Sequence, residues 1–202
     1  RIIYNGFLVG VSLAGDSFFY PNPLEADGVT PFNHGSKVRQ PWFGCSCCPS
    51  NVVRFLPSLL GYVYAKRDDH LYVNLYDGGK AQLEMAGTTV KLAQETRYPW
   101  DGGVRITVTP ETAAAFTLMV RIPGWARGRP VPSDLYTYRD PESTPYTLTV
   151  NGEPVDVPLK KGYVPIRRTW QPGDVVELNL PMSIRRVLCH EKVEENRGKV
   201  AL

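Results

Sequence analysis

The sequence predicts a mixed fold, in which a short helical and irregular region is followed by an antiparallel β-sandwich or jelly roll. The 18 glycines and 18 prolines among 202 residues are typical of many short strands joined by turns rather than of long helices. The spacing of apolar residues also changes near Gly61, from helical or irregular before it to alternation after it. These two observations divide the chain into a first part of about 60 residues and a longer β-rich part.

The first apolar segment, from Ile2 to Leu13, fits two structures. It is long enough for about three helical turns, but Gly6 and Gly10 could also separate two short strands. Helix is the preferred interpretation of this segment.

The next segment, from Asp16 to Phe43, is rich in aromatic and turn-forming residues. This composition predicts a long irregular loop, and long loops in compact proteins often carry function. After the loop, Pro49 suits the first turn of a helix that continues towards Leu60, although Pro57 should kink it. A group of cysteines therefore lies at the predicted N-terminus of a helix.

The rest of the chain alternates between apolar and polar residues in short segments. Turn signals separate these segments, the clearest being Asn151-Gly152, which predicts a β-hairpin. Residues 128–145 contain four prolines and several charges, and they are predicted to form an exposed insertion. At least six strands are expected, at residues 71–76, 104–109, 116–122, 146–150, 163–166 and 175–180.

Composition and charge exclude several classes of protein. Hydrophobic residues make up 43% of the chain and charged residues 21%, which excludes a disordered protein. The net charge of +3 is spread along the chain, so we expect neither a nucleic acid nor a membrane as a partner. No segment approaches the roughly 18 to 20 apolar residues of a membrane span. Because the chain starts at Arg1 without a signal-peptide pattern and stops within an apparent strand, we expect it to be a piece of a larger protein.

The cysteines are the most informative residues. Cys45, Cys47 and Cys48 lie within four positions, whereas Cys189 stands alone, so the pattern is not that of a secreted disulfide scaffold. Adjacent cysteines seldom satisfy disulfide geometry, which favours reduced thiols. A helix N-terminus lowers the pKa of a thiol. Spacing alone leaves three interpretations open: zinc binding, a reactive thiol and plain buried cysteines.

Other candidate residues give weaker signals. His34 lies in the same loop as the cysteines, but a lone loop histidine is more often a solvated side chain. No two carboxylates are placed by spacing into an acid/base pair. The tryptophans Trp42, Trp100 and Trp125 could stack on sugar rings, but such residues are more often part of the core.

Several motifs together resemble the bacterial β-L-arabinofuranosidase family, which was long catalogued as a domain of unknown function. The similarity is specific and covers nearly the whole chain. The motifs that carry it are Tyr4-Asn5-Gly6, Gly10-Val11-Ser12-Leu13, Gly15-Asp16-Ser17-Phe18-Phe19-Tyr20, Asn22-Pro23-Leu24-Glu25, Trp42-Phe43, Cys45, Cys47-Cys48-Pro49, Asn51, Tyr98-Pro99-Trp100-Asp101-Gly102 and Ile122-Pro123-Gly124-Trp125-Ala126.

The resemblance implies a fold and a division into domains. Residues 1–60 would be the last part of a catalytic (α/α)6 barrel and would contain the cysteine loop. Residues 61–188 would form an antiparallel β-sandwich, and residues 189–202 would begin a second β-sandwich.

The resemblance also implies a mechanism. The family is a group of retaining glycoside hydrolases in which a zinc-bound cysteine attacks the anomeric carbon and forms a thioglycosyl intermediate. By motif position, Cys47 would be the nucleophile and would bind Zn²⁺ together with Cys48. Tyr20 would contact the sugar, and Cys45 would have a supporting position.

Part of that family's site does not occur in this sequence. The remaining zinc ligands come from a Glu-x-Cys motif, which these 202 residues lack, and the family's acid/base glutamate also lies upstream. We therefore expect the chain alone to be inactive. The expected partner is an oligosaccharide or glycoconjugate that contains L-arabinofuranose. The full-length protein could form a homodimer. The clustered reduced thiols favour a location in the cytoplasm. The alternative function is a non-catalytic carbohydrate-binding or structural β-sandwich module.

Overall fold

The computed structural model describes residues 2–23, 25–45, 47–140 and 144–201. The chain divides into two compact units, Arg1–Gly61 and Tyr62–Leu202. The first is loop-rich with one α-helix, and the second is built from β-sheets.

The first unit begins with a short helical segment that is not a regular α-helix. Ile2–Phe7 is π-helical and Leu8–Gly10 is a 3-10 turn, after which Val11 is extended. The preference for helix over two strands is correct for residues 2–10, but the three α-helical turns do not form. Gly6 and Gly10 favour this irregularity, because glycine weakens a regular helical backbone.

The predicted long loop is present. Between residues 11 and 46, the described backbone forms only isolated bridges, including a pair of hydrogen bonds between Phe18 and Gln40. Helix α1 then spans Cys47–Ser58, followed by a 3-10 turn at Leu59–Tyr62. Pro57 lies inside α1 one residue before its end, so the helix stops soon after the proline.

The second unit contains twelve strands among its described residues. Ten of them form two large sheets, with strand orders β1-β2-β6-β10 and β3-β4-β5-β11-β8-β9, and β7 pairs with β12. Neighbours are antiparallel except β2 and β6, which are parallel. The strands are β1 Tyr64–Arg67, β2 His70–Val73, β3 Gly79–Met85, β4 Thr88–Thr96, β5 Gly103–Pro110, β6 Ala114–Arg121, β7 Tyr136–Tyr138, β8 Thr147–Val150, β9 Glu153–Pro154, β10 Tyr163–Trp170, β11 Asp174–Asn179 and β12 Val187–Cys189.

Both large sheets contribute to one hydrophobic core. Trp170 and Phe116 of the four-stranded sheet are completely buried, as are Ile106 and Val176 of the six-stranded sheet. The indole N–H of Trp170 donates a hydrogen bond of 3.1 Å to the carbonyl of Phe116, so the polar group of this core residue is satisfied. Burial of this kind is the main source of stability for the unit.

The six predicted strands all occur, and β9 is the second strand of the predicted Asn151-Gly152 hairpin, whereas β1, β3, β4, β7 and β12 were not predicted. The β3–β4 hairpin was missed because its turn is Ala86-Gly87, in which both residues have positive φ, 49° and 80°. Asparagine or aspartate usually occupies the first of these positions, so the sequence gives no strong turn signal there. In contrast, Asn151-Gly152 has φ values of 52° and 84° and forms the predicted hairpin between β8 and β9.

The predicted insertion at residues 128–145 is largely exposed in its described part, but it is not without structure. It contributes β7, which pairs with β12. The guanidinium of Arg185 lies 3.5 Å from the centre of the Tyr138 ring, and Arg186 forms an ion pair of 3.0 Å with Asp140. Near the end of the chain, Val187 also pairs with Ala201.

No helix in the described parts of the chain is long and apolar enough to cross a membrane.

Gly102, which is buried just before β5, allows a close approach between two backbone segments. Its carbonyl accepts a hydrogen bond of 2.9 Å from the backbone N–H of Leu180. A Cβ atom at position 102 would lie only 1.8 Å from the carbonyl oxygen of Leu180, whereas a Cβ at position 103 would meet nothing closer than 3.5 Å.

We therefore predict that Gly102→Ala destabilises the second unit by about 3 kcal/mol, because a backbone segment must move to relieve the overlap. The matched control is Gly103→Ala, which adds the same methyl group one residue away without a clash. Urea unfolding monitored by tryptophan fluorescence measures both. Equal stabilities of the two variants would contradict this account.

Candidate active site

Three thiols surround the first turn of α1. Cys45 and Cys47 are exposed and Cys48 is half-buried, and all four cysteines of the chain are free of disulfide bonds. The Sγ atom of Cys47 lies 3.8 Å from that of Cys45 and 3.9 Å from that of Cys48. The prediction of a reduced cluster at a helix N-terminus is confirmed by this arrangement.

Side-chain hydrogen bonds hold the start of α1. The carbonyl of Cys47 accepts bonds from Asn51 Nδ2 at 2.8 Å and Ser50 Oγ at 3.2 Å, and Arg54 donates to the Asn51 side chain at 2.7 Å. Pro49 is buried in the first turn. The backbone that carries Cys47 and Cys48 is therefore anchored independently of their thiols.

Tyr20 reaches the same thiols from the long loop. Its hydroxyl oxygen lies 2.7 Å from Cys47 Sγ and donates a longer bond of 3.7 Å to Cys45 Sγ. The structure thus brings together the predicted nucleophile, its neighbouring thiols and the predicted sugar contact, although Tyr20 and Cys47 are 27 residues apart.

Asn33 holds Tyr20 in this position. Its side chain is completely buried, and its Oδ1 accepts a 2.7 Å bond from the backbone N–H of Tyr20. Its Nδ2 donates to the carbonyls of Phe18 and Val38. This buried amide forms hydrogen bonds with three backbone groups. These bonds fix a loop that has little regular secondary structure.

An aromatic group that the sequence did not indicate lies beside the thiols. The rings of Tyr20, His34 and Phe43 lie in mutual contact, with centroids 4.3 Å to 5.4 Å apart. Phe43 is 4% exposed, so it forms the buried base of the group. His34 has a φ of 50° and precedes Gly35 at 83°, a backbone that non-glycine residues adopt rarely. The dipeptide His34-Gly35 was the available signal for this turn.

The surroundings of Cys47 and Cys48 shift the pKa values of their thiols in opposite directions. The hydrogen bond from the Tyr20 hydroxyl, with smaller contributions from Cys45 and Cys48, lowers the pKa of the Cys47 thiol. Burial is the main cause that raises the pKa of Cys48. The same contact with Cys47 raises the pKa of Tyr20, which therefore stays protonated and donates to the thiolate. At a given pH Cys47 therefore has a larger fraction of thiolate, the nucleophilic form, than Cys48.

Two carboxylates of the long loop, Asp16 and Asp27, form hydrogen bonds with nearby residues of the loop. Asp16 accepts hydrogen bonds from Ser12 and Ser17, which lower its pKa. Hydrogen bonds from the Thr30 hydroxyl and from backbone N–H groups lower the pKa of Asp27 to about 2. Both carboxyls are therefore ionised at neutral pH and are poorly suited to donate a proton.

The spacing of the sulfurs fits two ligands of one zinc ion. Two thiolates that bind the same tetrahedral Zn²⁺ through bonds of about 2.3 Å lie about 3.8 Å apart. The Cys47–Cys48 separation of 3.9 Å agrees with this value. However, no group of three His, Cys, Asp or Glu side chains in the described ranges is arranged to hold a metal ion. The described residues thus fit part of a zinc site.

The remaining candidates lie elsewhere. Cys189 belongs to the second unit, where its Sγ donates to the carbonyl of Asn196 at 3.1 Å. Trp42 and Trp100 are 65% and 85% exposed, so the expectation that they belong to the core is wrong for both. Trp125 is partly buried against Tyr98.

We predict that Tyr20→Phe raises the pKa of Cys47, because the substitution removes the donor that stabilises the thiolate. The measurement is the rate of iodoacetamide alkylation at Cys47 against pH, followed by peptide mass spectrometry of the metal-free protein. The rate profile should shift to higher pH, and alkylation below the midpoint should slow. Tyr72→Phe is the control and should leave the profile in place. An unchanged profile for Tyr20→Phe would contradict the assignment.

The chain matches two family models. Residues 1–61 match the catalytic domain of the GH127 β-L-arabinofuranosidases, and residues 70–182 match the middle domain of the same family. A curated relative, the non-reducing end β-L-arabinofuranosidase of Bifidobacterium longum subsp. longum, is 35% identical over 99% of this chain and 29% of its own length.

Two solved structures of the same family are similar to this chain. A GH127 β-arabinofuranosidase is 49% identical with a TM-score of 0.90, and a GH127 β-L-arabinofuranosidase from Geobacillus stearothermophilus T6 is 45% identical with a TM-score of 0.84. Each alignment covers 98% of this chain and 30% of the other, so the chain spans about a third of the length of these relatives. The mostly β-sheet architecture with one α-helix therefore matches known structures of this family. The chain belongs to glycoside hydrolase family 127, the β-L-arabinofuranosidases.

Proposed function

We propose that this chain is part of a retaining glycoside hydrolase that removes β-L-arabinofuranosyl groups and uses Cys47 as its nucleophile. The observation that carries this proposal is the contact of 2.7 Å between the Tyr20 hydroxyl and Cys47 Sγ, beside Cys48 at the start of α1. A thiol with a lowered pKa, an exposed sulfur and a fixed hydrogen-bond donor has the properties of an activated nucleophile.

In the first step, the Cys47 thiolate attacks the anomeric carbon of the sugar. A C–S bond forms while the C–O bond to the leaving group breaks, and the departing oxygen takes a proton from a general acid. In the second step, the conjugate base of that general acid takes a proton from water, whose oxygen attacks the same carbon while the C–S bond breaks and the sulfur leaves as a thiolate. Two inversions give overall retention of configuration.

Tyr20 and its aromatic neighbours would bind and orient the sugar. The tyrosine hydroxyl stabilises the Cys47 thiolate before attack, and it is able to turn to a sugar oxygen once the C–S bond has formed. His34 and Phe43 support the Tyr20 ring from the side, so they limit its movement. Asn33 acts through Tyr20 and is a positioning residue.

Cys47 and Cys48 are the residues that would hold zinc. When bound, Zn²⁺ would keep the thiol ionised at neutral pH and would make the sulfur a better leaving group by taking part of its charge. The 3.9 Å between the two sulfurs supports a shared ion.

The rest of this site would come from the longer protein. Neither Asp16 nor Asp27 is suited to be the general acid, and the described residues supply only part of a zinc site. We therefore propose that the 202 residues alone are inactive. We also propose that residues 1–60 are the end of an (α/α)6 barrel and that the two large sheets form a β-sandwich over residues 61–188. A single core shared by both sheets supports the sandwich.

The proposed substrate is an oligosaccharide or glycoconjugate with a terminal L-arabinofuranose. The similarity to proteins named β-L-arabinofuranosidases supports this class of sugar. The alternative, a non-catalytic carbohydrate-binding module, is favoured by the exposed Trp100 of the second unit. The binding-module alternative does not explain why the buried Asn33 holds Tyr20 against the exposed thiol of Cys47.

The test compares cysteine variants of the full-length protein. We expect Cys47→Ala to reduce hydrolysis of an arabinofuranosyl substrate by at least about 10³-fold, since it removes the nucleophile. Cys48→Ala should lose bound zinc in elemental analysis. Cys189→Ala removes a thiol outside the site and should keep both activity and zinc.

Three results would contradict the proposal. Hydrolysis by the Cys47→Ala protein at the rate of an active wild type would exclude Cys47 as nucleophile. A full-length wild-type protein that hydrolyses no arabinofuranosyl substrate would favour the binding-module alternative. Hydrolysis by the purified 202-residue chain would overturn the claim that it needs residues from the longer protein.

A further inference from the structure

A second cleft lies in the β-sheet unit, outside the thiol site. It has a volume of about 450 Å³ and is lined by Tyr62, Asn74, Leu75, Arg121, Lys161 and Tyr163. This volume is within the range of small-molecule sites, which is about 300 to 1,000 Å³. The lining combines two cationic side chains, hydrogen-bonding groups and aromatic rings.

Arg121 and Lys161 form no ion pair with an acidic residue in the described part of the chain. No carboxylate is among the described residues that line the cleft. Arg127 adds a third cation beside this site, since one of its amino groups would lie 3.6 Å from a Cβ placed on Gly162. The cleft is therefore positively charged and attracts an anionic group.

The walls of the cleft are fixed by hydrogen bonds. The Tyr163 hydroxyl donates to Asn74 Oδ1 at 2.8 Å, and Asn74 Nδ2 donates to the carbonyl of Tyr62 at 3.2 Å. Arg121 donates to the carbonyl of Asn74 at 3.1 Å, and its own carbonyl accepts a bond from the Tyr76 hydroxyl. The guanidinium is therefore oriented before any ligand binds, which reduces the entropic cost of binding.

Lys161 is held in an uncommon backbone conformation. It has a φ of 50° in a tight turn closed by two hydrogen bonds between Lys160 and Tyr163, of 2.7 Å and 3.0 Å. Asparagine and glycine adopt this conformation more readily than lysine does. The backbone N–H of Ile122 also donates to Gly162, which ties the turn to the end of β6 beside Arg121.

We propose that this cleft binds a carboxylate-bearing sugar, a uronic acid residue of a glycan. The carboxylate would accept charge-assisted hydrogen bonds from Arg121 and Lys161. Tyr62 lines the cleft and is 57% exposed, and its aromatic ring would pack against C–H groups of the sugar. Sugar hydroxyls would complete the contacts with the polar groups of Asn74 and Tyr163. This site lies in the second unit and takes no part in the Cys47 chemistry.

The test is calorimetric titration of the full-length protein with digalacturonate and with its neutral dimethyl ester at low ionic strength. We expect binding of the acid and at least about tenfold weaker binding of the ester, because a charge-assisted hydrogen bond contributes on this scale. Lys161→Asn should weaken binding of the acid about tenfold without loss of thermal stability, since asparagine suits the turn. Hydrolysis of a neutral arabinofuranosyl substrate should not change.

Lys160→Asn is the matched control, because it removes the same charge from the neighbouring residue, which does not line the cleft. Three results would overturn the proposal: no binding of digalacturonate at millimolar concentration, equal binding of acid and ester, or equal effects of the two lysine variants. Binding of tetraglutamate as tight as that of digalacturonate would also overturn it, and would assign the cleft to an acidic protein segment.

Discussion

The hydrogen bond between the Tyr20 hydroxyl and the Cys47 thiol is the interaction on which the candidate site depends. It is the main cause of the lowered pKa of Cys47, and it requires two segments that are 27 residues apart in the sequence to lie within hydrogen-bond distance. Neither segment is held by a sheet. Asn33 fixes the loop through three backbone groups, and Asn51 fixes the helix start through the carbonyl of Cys47. The site is thus built from buried or anchored amides rather than from a hydrophobic core.

The two units differ in what fixes their described residues. In the β-sheet unit, Trp170, Phe116 and their neighbours are fully removed from water, so burial of apolar surface dominates its stability. In the first unit, hydrogen bonds of Asn33 and Asn51 fix the loop and the helix start around the thiols.

Periodicity and turn chemistry predicted much of the fold. The strands around Phe116 and Val176 were found because their apolar residues alternate, and the Asn151-Gly152 hairpin because its residues suit positive φ. The hairpin at Ala86-Gly87 was missed, since alanine gives no local signal for the conformation that pairing of the strands imposes. Thiol chemistry and the motif resemblance pointed to Cys47, Cys48 and Tyr20. The roles of Asn33, His34 and Phe43 depend on long-range contacts in an irregular loop, which residue type and spacing do not encode.

The most direct measurement of the central claim is the position of a covalently bound sugar on the protein. The full-length protein is mixed briefly with a β-L-arabinofuranosyl substrate, quenched with acid and digested, and the peptides are examined by mass spectrometry. The account predicts a pentosyl group on the sulfur of Cys47, and no labelled peptide from the Cys47→Ala protein. A pentosyl group on a carboxylate or on Cys45, in a protein that turns over its substrate, would contradict it.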